Sequence, residues 1–497
     1  VPAQAAPNLH EQPLPLAANA QRNFIGGAWH DAKSGQTLPA INPSTGDAYG
    51  AIADSGAEDV DHAVRAARHA FDEGDWGRMT ALDRGRCLTR LSRLVDDHAA
   101  ELAAIEARDT GKPMHVANAD IVALARYFEF YGGAADKFHG ETIPYLNGYF
   151  VSVLREPHGV TGHILPWNYP AQMFGRTLAP ALAVGNATVL KPAEDACASS
   201  LRLAALVAEA GFPPGAVNIV TGRGAVAGAA LAAHPGVDFI SFTGSPEVGQ
   251  QIQRLAADHF IDCTLELGGK SPHLVFADAD IEAAIPVICK AIIQNTGQTC
   301  SAGSRVLVQQ SIYPEFVARL GVAFSALSAG TPEQNLDCGP IITAKQRARV
   351  QKFIGQAQAD GIPVIAEGRI ADGAPAGGFF VRPTLFGTVP RDNALAREEV
   401  FGPVLAAMPF EDEADAIRLA NGTDFGLVAA IWTRDGARQV RVAKKLRSGQ
   451  VFINSYGAGA GIELPFGGNG KSGHGREKGF ASMEDFSRTK TLVLNHG

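Results

Sequence analysis

Hydrophobic and polar positions change their period along the chain near residue 160. Before it, residues 57–133 carry Ala and Leu at helical spacing, which predicts several amphipathic helices, among them 57–71 and 80–109. Short strands are expected at 23–27 and 47–53, around the turn residues Gly26-Gly27 and Asn42-Pro43-Ser44, with β-like stretches at 151–155 and 163–165. Beyond 160, helix-like segments alternate with short apolar runs: 171–183 then 187–190, 198–210 then 217–220, 225–234 then 237–242, 246–258 then 262–266. This alternation, with short glycine turns, predicts a parallel α/β sheet with crossover helices. A second α/β region follows, with strands expected at 272–275, 304–309, 364–367 and 379–384 and helices at 279–295, 312–328, 343–360 and 412–420. Residues 447–454 and 490–495 read as further strands. The last of them can pair with an exposed sheet edge, in its own chain or a neighbour.

Composition narrows the class. A chain of 497 residues exceeds what one core usually supports, so two or three domains are expected. Hydrophobic residues at 46 % and charged residues at 19 % are ordinary for a globular protein. A net charge of −8, with no long run of either sign, argues against nucleic acid or an anionic membrane as partner. Six cysteines without metal spacing or a C-x-x-C pair indicate neither a metal site nor a disulfide framework. No stretch has the length of a membrane-spanning helix. Residues 1–20, rich in Ala and Pro, read as a loose tail rather than a signal peptide, and a reducing cytoplasmic setting is expected.

One cysteine stands apart. Cys289 lies in an apolar run, as a packing thiol does. Cys300 follows on a loop of small and polar residues between Gly297 and Gly303. Glycines let backbone N–H groups approach whatever the sulfur attacks, and a thiolate is intrinsically nucleophilic. Cys300 is therefore a candidate nucleophile, although a satisfied thiol in a turn looks the same in isolation.

Phosphate signals are mixed. Gly-Lys-Ser occurs at 269–271 and 470–472, but a P-loop needs a further glycine where this chain has Thr264 and Pro465, so neither qualifies. Gly222, Gly224 and Ala227 follow a strand, open a helix and fit the relaxed dinucleotide fingerprint. Gly244 and Ser245 follow the strand ending at Phe242, with Pro246 in the first helical turn and Gly249 behind. There they can turn N–H groups and a hydroxyl toward an anion, although a plain strand–helix turn fits too. Lys191 and Glu194 follow the run 187–190, where they can hold ribose hydroxyls; a solvated loop is the other reading. A carboxylate there repels a 2′-phosphate and favours NAD over NADP.

These motifs are not independent. Pro166-Trp-Asn-Tyr-Pro170, Lys191-Pro-Ala-Glu194, Phe242-Thr-Gly-Ser245 with Gly249, Leu265-Glu-Leu-Gly-Gly-Lys-Ser-Pro272, Gly297-Gln-Thr-Cys300 and Glu399-Val-Phe-Gly-Pro403 occur in this order. Asn454-Ser-Tyr456, Pro465-Phe-Gly-Gly468 and the run from Ser472 to Glu477 come later. Together they resemble the NAD(P)-dependent aldehyde dehydrogenase superfamily, from about residue 22 to 495. One departure is Gly470 where the family often has lysine, with Lys471 following; a changed surface contact is expected there.

The resemblance implies that Cys300 attacks an aldehyde carbon, that Asn168 and the Cys300 N–H hold the oxyanion, and that Glu266 deprotonates the water that hydrolyses the thioester. It places Trp167, Lys191, Glu194, Gly244, Ser245, Gly249, Leu267, Glu399 and Phe401 around NAD. It demotes the turn 222–227 to a neighbour of the adenine. Gly268 and Gly269 would give Glu266 room to swing aside. Tyr169, Met173, Arg176, Thr299, Ser301, Tyr456 and the loop Gly457–Gly461 would line the aldehyde tunnel. The two tyrosines suit an apolar or aromatic aldehyde. Arg176 could instead bind the carboxylate of a semialdehyde, or turn outward and pair with an acid.

The implied fold is α/β: a Rossmann-like NAD-binding domain (21–135 and 157–265), an α/β catalytic domain (266–447), and a segment 448–483 returning to the first. A small β oligomerisation element (136–156 and 484–497) would build a homodimer or homotetramer by extending a neighbour's sheet. A relative that passes its thioester to coenzyme A can dispense with Glu266. A non-catalytic binding protein on this fold would be expected to have lost Cys300, Glu266 or Asn168. A thiol hydrolase would use Cys300 without NAD. All three residues are present, which favours NAD-dependent oxidation of a small-molecule aldehyde.

Overall fold

The structure is a computed structural model that describes residues 22–457 and 461–497. The tail expected at 1–20 and the middle of the glycine loop 457–461 lie outside the described residues.

The middle of the first sheet is parallel, in the spatial order Val217–Ile219, Ala187–Lys191, Val160–Ile164, Phe239–Thr243, Asp262–Glu266. The chain steps outward from Val160–Ile164 in one direction, then jumps back across it and steps outward in the other. That reversal between Val160–Ile164 and Phe239–Thr243 opens a crevice at the carboxyl ends of the strands, where open α/β sheets take ligands. Asn23–Ile25 and Ala28–His30 extend one edge antiparallel, and Gly473–His474 extends the other.

Local chemistry sets the helices that flank the crevice. Pro246–Asp258 starts with Pro246, and the Ser245 hydroxyl caps it by accepting from the Val248 N–H. Pro170–Val184 starts at Pro170 and stops at Gly185, whose φ of 115° suits only glycine. The helical stretch expected over 80–109 is two helices, Ala81–Asp97 and Ala99–Thr110, broken at His98.

The second sheet runs Val364–Glu367, Thr384–Phe386, Val404–Phe410, Arg305–Gln309, Pro272–Val275, Val428–Trp432, Gln450–Ile453, parallel except at its first pair. Val404–Phe410 and Val428–Trp432 are strands that the period does not predict. Leu405, Ala407 and Ala430 pack into one apolar cluster, and Val404, Ala406 and Ile431 into the other. A strand covered on both faces carries no alternating polar residues to mark it. The strand expected at 379–384 begins only at Thr384, after Pro383, which has no N–H for a ladder. The segment from 448 serves both sheets: Gln450–Ile453 joins the second and Gly473–His474 the first.

A third, antiparallel sheet stands apart. Ser487–Asn495 pairs along its whole length with Tyr149–Pro157, which also pairs with Glu141–Thr142.

Candidate active site

The helix Ile281–Ile293 runs into a turn whose backbone is left-handed three times in succession, at Asn295 (φ 48°), Thr296 (58°) and Gly297 (72°). Such conformations cost roughly 1–3 kcal/mol at a non-glycine residue and persist only where the surroundings over-determine them. Here the Asn295 amide donates to the Asn168 carbonyl at 2.8 Å. Thr296 Oγ1 accepts from the Gly339 N–H, and Gln298 Oε1 from the Ile342 N–H, each at 2.9 Å. A side chain at Gly297 would overlap the Gly402 carbonyl. Cys300 is thus delivered by a loop clamped from three directions.

Cys300, Glu266 and Asn168 line one cleft of about 1300 Å³ at the carboxyl ends of the first sheet. Trp167, Gly244, Ser245, Leu267, Glu399 and Phe401 of the expected cofactor set line it as well. So do Tyr169, Met173, Arg176, Thr299 and Ser301 of the expected substrate set. Four residues lie elsewhere. Lys191 and Glu194 pair at 2.8 Å beyond the cleft, and Glu194 also accepts from the Gly224 N–H at 3.1 Å, so the turn 222–227 abuts them. Gly249 lies under Leu267, which a side chain at 249 would overlap. Tyr456 packs against His273, with ring centres 4.6 Å apart, and its hydroxyl donates to the Ser301 carbonyl; it braces the wall from behind.

Asn168 Nδ2 donates to the Gln298 carbonyl at 2.9 Å. That bond uses one of its two amide hydrogens and leaves the other for the cleft. Burial pushes the Cys300 thiol up to about 12, with Arg176 pulling the other way, so the resting sulfur is protonated at neutral pH. Glu266 is buried, and neither of its oxygens has a hydrogen-bond partner among the described residues. Burial and the neighbouring Glu477 carboxylate hold its pKa well above the usual carboxylate range, opposed by Arg176.

Arg176 does not turn outward. It is buried, pairs with Glu477, lies 3.6 Å from Glu266 and stacks over the Phe466 ring at 4.3 Å. Glu477 therefore bears on the site through Arg176, as does Lys478, whose ammonium lies 5.2 Å from the centre of the same Phe466 ring. Lys478 is pushed down to about 7 by burial and by Arg176. Nothing in their spacing announces this; only the return of Gly473–His474 to the edge of the first sheet brings them beside Glu266.

Glu399 accepts from the Gly269 N–H at 2.8 Å, and burial lifts its pKa to about 7. A side chain at Gly268 would overlap this carboxylate, and one at Gly269 the Cys300 carbonyl. At 269 the obstacle is backbone and packing alone requires glycine; at 268 it is only the end of the Glu399 side chain.

The model of the aldehyde dehydrogenase family matches residues 29–492. Human retinal dehydrogenase 2 is 41% identical over 500 residues, covering 99% of this chain and 96% of that one. A Burkholderia cenocepacia protein designated an aldehyde dehydrogenase superposes with a TM-score of 0.95 at 60% identity, over 96% of this chain and 100% of that one. Betaine aldehyde dehydrogenase from Staphylococcus aureus, solved with NAD+, superposes with a TM-score of 0.94 at 34% identity, over 100% of this chain and 97% of that one.

Proposed function

The chain belongs to the aldehyde dehydrogenase family, and from that premise we propose that it oxidises an aldehyde to a carboxylic acid with NAD, through a thioester on Cys300. The observation that carries this reading is one cleft lined by a thiol, an amide donor and a buried carboxylate. Cys300 Sγ bonds to the aldehyde carbon while the Asn168 amide and the Cys300 N–H hold the negative charge moved onto oxygen. The thiol proton leaves to solvent as the S–C bond forms; in the next half of the reaction Glu266 takes the proton of the attacking water and returns it to the Cys300 sulfur as the acid departs. Hydrolysis frees the acid and returns the sulfur.

The crevice suits a dinucleotide. The capped start of Pro246–Asp258 offers N–H groups to a pyrophosphate, Lys191 and Glu194 flank one ribose position, and Glu399 serves the other. Nicotinamide bound beside Phe401 would take up the carbon-bound hydrogen with its electron pair. Burial opposes ionisation of Glu194, but the Lys191 ammonium and N–H donors outweigh it and hold the carboxyl below its usual pKa. A charged Glu194 repels a 2′-phosphate, so NAD is preferred to NADP.

The relatives' names point to retinal and to betaine aldehyde, which differ in size and charge, so names do not select the substrate. Within the cleft, Arg176 is already matched to Glu477 and Glu266, while Tyr169, Met173 and Phe466 offer ring and thioether surface. An aromatic or apolar aldehyde fits this wall better than an ω-carboxylate. The test is a panel of aliphatic, aromatic and ω-carboxy aldehydes with NAD and with NADP, read by the absorbance of reduced nicotinamide. Reduction that depends on aldehyde and is lost in Cys300→Ala is expected; reduction that persists in that variant would overturn the reading.

A further inference from the structure

A buried charge cluster lies behind the oxyanion donor, on elements that contribute nothing else to the cleft. Lys112 Nζ donates to Glu106 Oε1 at 3.1 Å, to Asp120 Oδ2 at 2.6 Å and to the Asn168 carbonyl at 3.1 Å. The same ammonium lies 4.7 Å from the centre of the Tyr169 ring. Glu106 Oε2 accepts from the Ala171 N–H at 3.3 Å. That N–H is one of the free donors at the start of Pro170–Val184, whose own preceding residue offers it no side-chain cap. All three charged residues are buried.

The turn that carries Lys112 also touches residues 339–340, which hold the nucleophile's loop. Gly111 ends the helix Ala99–Thr110 in the left-handed conformation, and a side chain there would overlap Pro340. Gly339 and Pro340 are the residues whose backbone holds Thr296 and Gln298, ahead of Cys300. One turn therefore fixes both sides of the reacting carbon: the Asn168 segment through the ammonium, and the Cys300 loop through the residues at 339–340.

Stability does not account for the cluster. Removing three charges from water can cost more than their attraction returns, and apolar replacements of such sets are often neutral or stabilising. What the cluster supplies is direction. It holds the Asn168 carbonyl, the Tyr169 ring and the Ala171 N–H at fixed points, and so sets where the Asn168 amide aims.

Resting on the reading of Asn168 as oxyanion donor, we propose that Lys112, with Glu106 and Asp120, is a positioning residue for the carbon–sulfur bond-forming step. In that step the sulfur pair forms the S–C bond and the carbonyl π pair moves onto oxygen. Lys112 touches neither atom; it holds the residue that stabilises the charge. A donor displaced by about 1 Å loses up to about 100-fold in rate.

The test is a double-variant cycle in the full-length protein: Lys112→Met, Asn168→Ala and the pair, with Asp120→Asn as a milder second route to the same contact. Folding is checked by thermal unfolding, NAD affinity by titration, and kcat/KM with one aldehyde. Asn168→Ala is expected to lower kcat/KM about 100–1000-fold. Lys112→Met is expected to lower it roughly 10–100-fold with NAD affinity unchanged, and to add less than about threefold on the Asn168→Ala background. Asp120→Asn should show the same non-additivity at smaller size, and decides the matter if Lys112→Met does not fold. Losses that multiply in the pair overturn the positioning role, as does unchanged kcat/KM in a folded Asp120→Asn variant beside a wild-type-like Lys112→Met. An Asn168→Ala variant with full activity refutes the oxyanion reading instead.

Discussion

At the scale of single residues, the site turns on Arg176. It is the foremost of the cations that oppose the raised pKa of Glu266, ahead of Arg476 and Lys478, and it compensates Glu477, with both acids buried. Glu266 works deprotonated, so thioester hydrolysis falls as pH falls through its raised pKa. Arg176→Ala removes the foremost charge that lowers that pKa, and the fall must move to higher pH; the pH profile of steady-state turnover checks this. The same variant strands buried carboxylates, which typically costs about 3–5 kcal/mol, read by thermal or denaturant unfolding. It should leave any preference between ω-carboxy and uncharged aldehydes unchanged, because the guanidinium is engaged with protein acids.

At the scale of elements, the turn after Ile281–Ile293 stores the strain that aims the sulfur. Gly297→Ala adds a side chain at a φ of 72° against the Gly402 carbonyl. A loss of about 1–3 kcal/mol in stability is expected, with kcat falling more than KM changes, as measured by melting and steady-state kinetics. This scale also shows what a sequence discloses. The helices expected from 171 and 246 and the strands expected at 187–190 and 262–266 are legible because proline and an N-capping serine act locally and short apolar runs alternate with helices across glycine turns. Val404–Phe410 and Val428–Trp432 are not legible, because burial on both faces erases their period. Cys300 is legible through its glycines, and Asn168 and Glu266 through the motifs around them. Glu477 beside Glu266, and Lys112 behind Asn168, are not: each meets its partner only after distant segments fold together.

At the scale of the whole molecule, the third sheet leaves Ser487–Asn495 as an edge strand on which Leu492, Val493 and Leu494 are each about half exposed. Phe150 on its partner strand is exposed too, as are Tyr145 and Leu146 just before that strand. We propose that this edge pairs with another copy of the chain, as long apolar edges do. Val493→Lys should shift the sedimentation profile toward smaller species. Two buried imidazoles set a limit on the acid side. Burial lowers His163 and His273 from 6.5 to about 3. The stability each contributes is present above pH 6.5 and lost as pH falls toward 3, about 2 kcal/mol each by pH 5. Denaturant midpoints should therefore decline below pH 6.5, and less steeply in His163→Gln.

The most direct test of the account uses Glu266→Gln, which keeps the shape of the side chain and removes its basicity. Mixed with aldehyde and NAD, this variant should release a burst of reduced nicotinamide stoichiometric with the chain and then stall. Intact mass and peptide mapping should find the acyl group on Cys300. Sustained turnover at the wild-type rate, or a burst with no adduct on Cys300, would contradict it.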